Sequence, residues 1–84
     1  MSKKVLLVMD GCDFCGNLIE KLNSSINNGD VELGNVNKDA DAKAIADKLD
    51  IDEFPTMVEV GDTEFCELDD DDYSKKKKCV RKEG

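Results

Sequence analysis

The sequence predicts an α/β domain with a four-stranded mixed sheet flanked by helices, in the order β-α-β-α-β-β-α. Three observations lead there. The apolar run Val5 to Met9 lacks alternation, as in a strand covered on both faces. Two amphipathic stretches follow it, separated by a second strand-like segment, which is the alternation that builds parallel crossovers. Two further strand-like segments then meet around Gly61 and Asp62, as in a hairpin.

The first strand is predicted over Lys4 to Met9, and Asp10-Gly11 ends it. A helix is predicted from near Asp13 to about Asn27, because Leu18, Ile19, Leu22 and Ile26 recur on one helical face. Asn27, Asn28 and Gly29 then stop it with a left-handed cap. Val31 to Val36 is the second strand, with Val31 and Leu33 as its dry side. Asn37 or Asp39 caps a second helix over Ala40 to Leu49, whose inward face is Ala42, Ile45, Ala46 and Leu49. Ile51 to Pro55 is a loop. Thr56 to Val60 and Thr63 to Leu68 are the third and fourth strands. A two-residue turn led by Gly61 joins them.

The segment Asp69 to Lys78 carries four Asp, Tyr73, Ser74 and four Lys. As a helix it sets acids at the positive end and bases at the negative end, with Asp71–Lys75 and Asp72–Lys76 pairs at i,i+4. Its apolar seam is only Tyr73 and Val80. Residues 69–84 are therefore expected to form a weakly docked terminal helix or a frayed tail. The whole of 1–84 is one domain, being far shorter than the length at which cores divide.

The formal charge is −8, with 20 acids against 12 bases. Residues 1–68 hold 15 acids and 6 bases, net −9, and residues 69–84 hold 5 acids and 6 bases, net +1. A mainly acidic body disfavours nucleic acid as a partner, since phosphate binding needs a cationic face. No apolar run is long enough for a membrane span or a signal peptide. The expectation is a cytoplasmic monomer with no membrane partner and no cofactor. There is no His, so the usual general base and the commonest metal ligand are both missing.

Four cysteines carry the candidate chemistry: Cys12, Cys15, Cys66 and Cys79. Cys12-Asp13-Phe14-Cys15 is a C-x-x-C motif between a buried strand and the first turn of an amphipathic helix. A thiol there faces unpaired backbone N–H groups and the positive helix end, and both favour thiolate, the nucleophile of disulfide exchange. Cys12, preceding the helix, is the expected nucleophile. Cys15, one turn inside, is the expected resolving thiol. Asp10 and Asp13 act against this activation by their charge. The competing use of such a pair is zinc, but strong zinc patterns bring two close pairs, and Cys66 and Cys79 are 13 apart. No metal site is therefore assigned. Cys66 sits between apolar residues of the last strand and reads as a small core residue. Cys79 sits among lysines, which favour its thiolate, and reads as a regulatory thiol, a partner for Cys66 or an exposed tail cysteine.

Pro55, the only proline, opens a strand in Glu53-Phe54-Pro55-Thr56. Together with the C-x-x-C motif about 40 residues earlier and the element order, it gives residues 3 to about 68 a resemblance to the thioredoxin/glutaredoxin family. The resemblance implies a thioredoxin-like fold and a cis peptide bond at Pro55 beside Cys12. It also implies a substrate site made by Asp13, Phe14, Phe54, Pro55 and Thr56. Phe14 before the second cysteine, and the small size, are similar to glutaredoxins. Pro55-Thr56-Met57 is more similar to thioredoxins.

By the same resemblance the activity is dithiol–disulfide oxidoreduction, linked to electron transport and cell redox homeostasis. Cys12 and Cys15 are the redox-active pair, and an upstream reductase or glutathione restores the dithiol. The glutaredoxin Gly-Gly pair is replaced by Leu68 and Asp69 to Asp72, and Asp10 stands where a Lys is usual. A protein or small-molecule disulfide is thus the expected substrate. The alternative function is a non-catalytic zinc- or partner-binding module, with Cys12, Cys15 and one of Cys66 or Cys79 as ligands.

Overall fold

The computed structural model describes residues 3–69 and 71–82. The chain folds as a five-stranded mixed sheet flanked by helices. The elements are β1 (Lys3–Val8), α1 (Asp13–Lys21), α2 (Asn23–Asn27), β2 (Val31–Asn35), α3 (Ala40–Leu49), β3 (Thr56–Val60), β4 (Glu64–Leu68) and β5 (Lys76–Arg81). The strand order is β2-β1-β3-β4-β5. β1 and β2 are parallel, and every other pair is antiparallel.

β1 lies inside the sheet, between β2 and β3, and is buried on both sides, as its unbroken apolar run requires. Leu6 and Val8 face α1 and α2, in a cluster with Cys15, Val31, Met57 and Leu68. Val5 and Leu7 face α3, in a cluster with Ala42, Ile45, Ala46, Leu49 and Val58. The predicted helical stripe Leu18, Ile19, Leu22, Ile26 packs on the first of these clusters. The single helix predicted for it is broken at Leu22, which leaves helical geometry at φ −99°, ψ 14°. Asn23, Ser24 and Ser25 follow that break, and residues of this kind compete for backbone hydrogen bonds and favour helix ends.

α3 begins at Asp39, whose side chain accepts from the Asp41 N–H at 3.0 Å. β2 corrects a predicted dry side. Val31 is buried, but Leu33 is 40% exposed and Gly34 is buried instead. Gly34 lies under α3, where an added Cβ would come within 3.0 Å of Ala42 Cβ and 3.2 Å of Val5 Cγ1. Gly34→Ala should therefore overpack this contact and destabilise the fold by about 1–3 kcal/mol, read as a lower urea midpoint. A midpoint at or above the parent value would show that α3 can simply step back.

The β3–β4 hairpin turns one residue later than predicted. Gly61 and Glu64 form its closing pair, the Gly61 N–H donating to the Glu64 carbonyl at 2.9 Å, so Asp62 and Thr63 make the corner.

The predicted terminal helix is corrected. Within Asp69 to Lys78 the chain makes a turn and then enters β5; of the predicted segment, Asp70 and residues 83 and 84 lie outside the described residues. Two facts override the i,i+4 charge pattern. β4 offers an unpaired edge that β5 completes, from Glu64↔Arg81 to Leu68↔Lys76. Cys66 and Cys79 are directly opposed across that pairing, 4.0 Å apart at Cα, with their sulfurs at bonding distance. The register slips between Glu67 and Leu68, leaving Lys77 as an extra residue on β5. Edge position and lysines also blunt further strand pairing. Among the described residues, no helix is long and apolar enough to cross a membrane.

Candidate functional site

The C-x-x-C motif sits where β1 ends and α1 begins. Gly11, at φ +76°, makes the reversal that a residue with a Cβ resists. Cys12 is the N-cap of α1, in extended geometry, and its Sγ accepts the Cys15 N–H at 3.1 Å. Sulfur here fills the place usually taken by a Ser or Asp oxygen. Cys12 is half-buried and Cys15 only 3% exposed, with the two sulfurs at bonding distance. The inner cysteine belongs to the core cluster of Leu6, Val8 and Met57.

Neighbouring loops hold this turn in place. The Asp10 N–H donates to Asn37 Oδ1 at 2.7 Å, and Asn35 Nδ2 donates to Asp10 Oδ1 at 3.0 Å. Asn37 is thus a brace between the β1–α1 and β2–α3 loops rather than a helix cap. Lys38 Nζ lies 3.9 Å from the Asp10 carboxylate, an exposed pair at the edge of this turn.

The third wall is the loop before β3. The Phe54–Pro55 peptide bond is cis, and the Phe54 carbonyl lies 3.7 Å from Cys12 Sγ. Phe54 itself is half-buried and packs against both core clusters. Thr56 is only 5% exposed, and its hydroxyl donates to the Glu53 carbonyl, so it shapes the loop from inside.

An open groove of about 480 Å³ runs beside the pair. It is lined by Phe14, Leu18, Phe54, Pro55 and Tyr73, with Asn17, Lys21 and Glu53 as its polar edge. Phe14 is 75% exposed, a large apolar face presented to solvent. Of the substrate-site residues expected from sequence, the groove takes in Phe14, Phe54 and Pro55. Asp13 is exposed on the first turn of α1, and it and buried Thr56 are not among the lining residues.

Tyr73 is the wall that sequence reasoning missed, because the segment around it reads as a helix. Asp72 accepts from both the Ser74 N–H and Ser74 Oγ, at 3.0 and 2.6 Å, and these bonds hold its carboxyl below the ordinary value. The Asp72-Tyr73-Ser74 turn they close was the available signal: an Asp bonding two residues on marks a turn.

The ligand set expected for the alternative function is not assembled. Among the described residues, one group brings three metal-capable side chains together: Glu64, Cys66 and Cys79, with ligand atoms within 4.8 Å of one another. Neither Cys12 nor Cys15 belongs to it.

The chain matches no family model, no curated protein and no solved structure.

Proposed function

We propose that this protein is a dithiol–disulfide oxidoreductase working through Cys12 and Cys15, on a thioredoxin-like arrangement of β1 to β4 to which β5 is added. The observation that carries the reading is the asymmetry of the pair. Two sulfurs stand at bonding distance, the outer one capping a helix and the inner one sealed in the core. A sulfur that accepts a helix N–H caps the helix while the bond is closed, and the same placement favours the thiolate once the bond is opened, which is what a nucleophile needs.

In the reduced protein the Cys12 thiolate attacks one sulfur of a substrate disulfide. A Cys12–substrate disulfide forms, and the other substrate sulfur leaves as thiolate and takes a proton. Cys15 then loses its proton and attacks Cys12 Sγ. The Cys12–Cys15 bond forms, the mixed disulfide breaks, and the second substrate thiol departs. Two electrons have passed from protein to substrate. A thiol reductant, or a reductase supplying one, restores the dithiol. The apolar groove lined by Phe14, Phe54, Pro55 and Tyr73 favours an extended peptide around the substrate cysteine over a small, highly charged thiol.

A redox titration tests this. The protein is equilibrated across thiol buffers, alkylated, and each cysteine counted by mass. Cys12 and Cys15 should titrate together as a two-electron couple between about −180 and −280 mV. A pair that never opens in that range, or that closes only after a metal is stripped, would remove the oxidoreductase reading.

A further inference from the structure

The second cysteine pair plays no part in the proposed mechanism, yet it occupies a position with consequences for the groove. Apart from its backbone pairing with β4, β5 has few anchors. Five of its six residues are exposed, and only Val80 is half-buried against the α3 side of the sheet. Three of the six are lysines, a residue depleted in strands. Its side-chain ties are a Lys77–Glu67 ion pair at 3.6 Å, the Lys78 ammonium on the Leu49 carbonyl at 2.7 Å, and the Cys66–Cys79 bond. A surface ion pair adds little, so the covalent tie dominates.

The tie is also placed to be opened. Cys79 is exposed, while its partner Cys66 is 2% exposed. Above it, the chain between β4 and β5 folds back on itself. The Asp69 N–H donates to the Lys75 carbonyl at 2.9 Å, the Lys75 N–H donates to the Asp72 carbonyl at 3.0 Å, and Tyr73 is carried from this turn into the groove. Tyr73 packs on the cluster of Leu6, Met57 and Leu68, and the turn that carries it is tied at Lys75, the residue just before β5.

We propose that Cys66–Cys79 is a second thiol–disulfide exchange site, entered at Cys79, whose opening releases β5 and withdraws Tyr73 from the groove wall. An external thiolate attacks Cys79 Sγ, forming a mixed disulfide there. The Cys66–Cys79 bond breaks, and Cys66 leaves as thiolate and takes a proton. A second thiolate then attacks the external sulfur, releasing the external disulfide and the Cys79 thiolate. Two external thiols are oxidised to one disulfide, and the protein pair is reduced by two electrons. Cys66 stays in a buried position, with the Glu64 carboxylate among its neighbours. The consequence for substrate binding rests on the oxidoreductase reading; the release of β5 does not.

The test uses the full chain with Cys12→Ser and Cys15→Ser, so that the first pair is silent, together with a Cys79→Ser variant in which the substituted side chain is exposed and the core is untouched. Hydrogen exchange is followed in oxidised protein and after reduction with excess dithiothreitol. Reduction, and Cys79→Ser, should each lower protection across β5 by about 10²-fold, leaving β1 and β3 unchanged. The chain has one Tyr and no Trp, so its ultraviolet emission reports Tyr73 alone. Acrylamide quenching of that emission should rise about twofold on reduction as the ring leaves its half-buried site. With glutathione as the thiol, the trapped adduct should sit on Cys79 and not on Cys66. Unchanged β5 protection in both the reduced protein and Cys79→Ser overturns the proposal. So does an adduct on Cys66, or reduced protein that takes up one zinc ion and keeps β5 protected, which would make the cluster with Glu64 a metal site instead.

Discussion

Cys15→Ser should arrest the protein as a covalent adduct with a disulfide substrate, and Cys12→Ser should lower turnover by at least about 10³-fold. The two outcomes differ because the two sulfurs have different surroundings. Cys12 is half-buried and reachable beside an open groove, so its loss removes the attacking group. Cys15 is 3% exposed and cannot be reached by a folded substrate, so its loss leaves the first step intact and blocks the second. Serine is a fair substitute structurally at position 12. It is among the preferred N-cap residues and can accept the Cys15 N–H as the sulfur does, so α1 should keep its start and the lost rate is chemical. Mass spectrometry of the Cys15→Ser protein after incubation with a disulfide-bonded peptide gives the adduct directly, and thiol release gives the rate. If Cys15→Ser turns over at the parent rate with no adduct, a one-thiol mechanism replaces the two-thiol one.

What makes the site asymmetric is the sheet beneath it. β1 is buried on both faces and ends at Val8, so the chain must reverse within a few residues to start α1 over one face. Gly11 permits the reversal, and the Asn35–Asp10–Asn37 bonds tie it to the neighbouring loop. The first turn of α1 then drops Cys15 onto Leu6 and Val8 and leaves Cys12 at the rim. The loop before β3 closes over that rim because β3 is hydrogen-bonded to β1 and starts at the same end of the sheet, Leu7 opposite Thr56. Two loops thus meet at the Cys12 sulfur, and a third braces one of them through Asp10, without any of them being long.

Most of this was legible in the residues themselves. An unbroken apolar run means a two-sided strand, and β1 is one. Apolar spacing gave the inward face of α3, and its limits as well. Phe14, Phe54 and Pro55 were expected at the site from the family resemblance rather than from local pattern, and the groove takes them in without Asp13 or Thr56. The break of the predicted first helix at Leu22 is local, but the larger failures share a cause, which is that local pattern lost to a longer-range partner. The Asp and Lys tracts suit a helix by dipole and i,i+4 charge pairing, yet β5 forms because β4 has a free edge and Cys66 lies opposite Cys79. Leu33 alternates correctly but stands on a strand at the sheet's edge, and Gly34 is buried because α3 crosses it, a fact no single strand records. Tyr73 was missed as part of the groove for the same reason: its place follows from where β5 goes.

Leu6→Ala and Leu7→Ala should each cost about 2–5 kcal/mol, and only the first should disturb the redox pair. Both side chains are fully buried. An ordinary domain has about 5–15 kcal/mol in total, and one of 84 residues buries a modest core, so either change takes a large share. Urea melts should show both midpoints falling with the slope unchanged. The residues point to opposite faces, however. Leu7 packs with Ala42, Ile45 and Leu49, away from the site, while Leu6 packs with Cys15, Val8 and Met57. A cavity at Leu6 lies against Cys15, and a free thiol can relax into it further than one held in a bond. The reduced form is then destabilised less than the oxidised one, and the Cys12–Cys15 midpoint should rise by about 15–30 mV, equivalent to about 0.7–1.4 kcal/mol. A Leu7 cavity is separated from both sulfurs by the sheet and should leave the midpoint within a few mV. Equal shifts in the two variants would mean that strain crosses β1 freely, and that the sealed position of Cys15 is a property of the whole core rather than of one face.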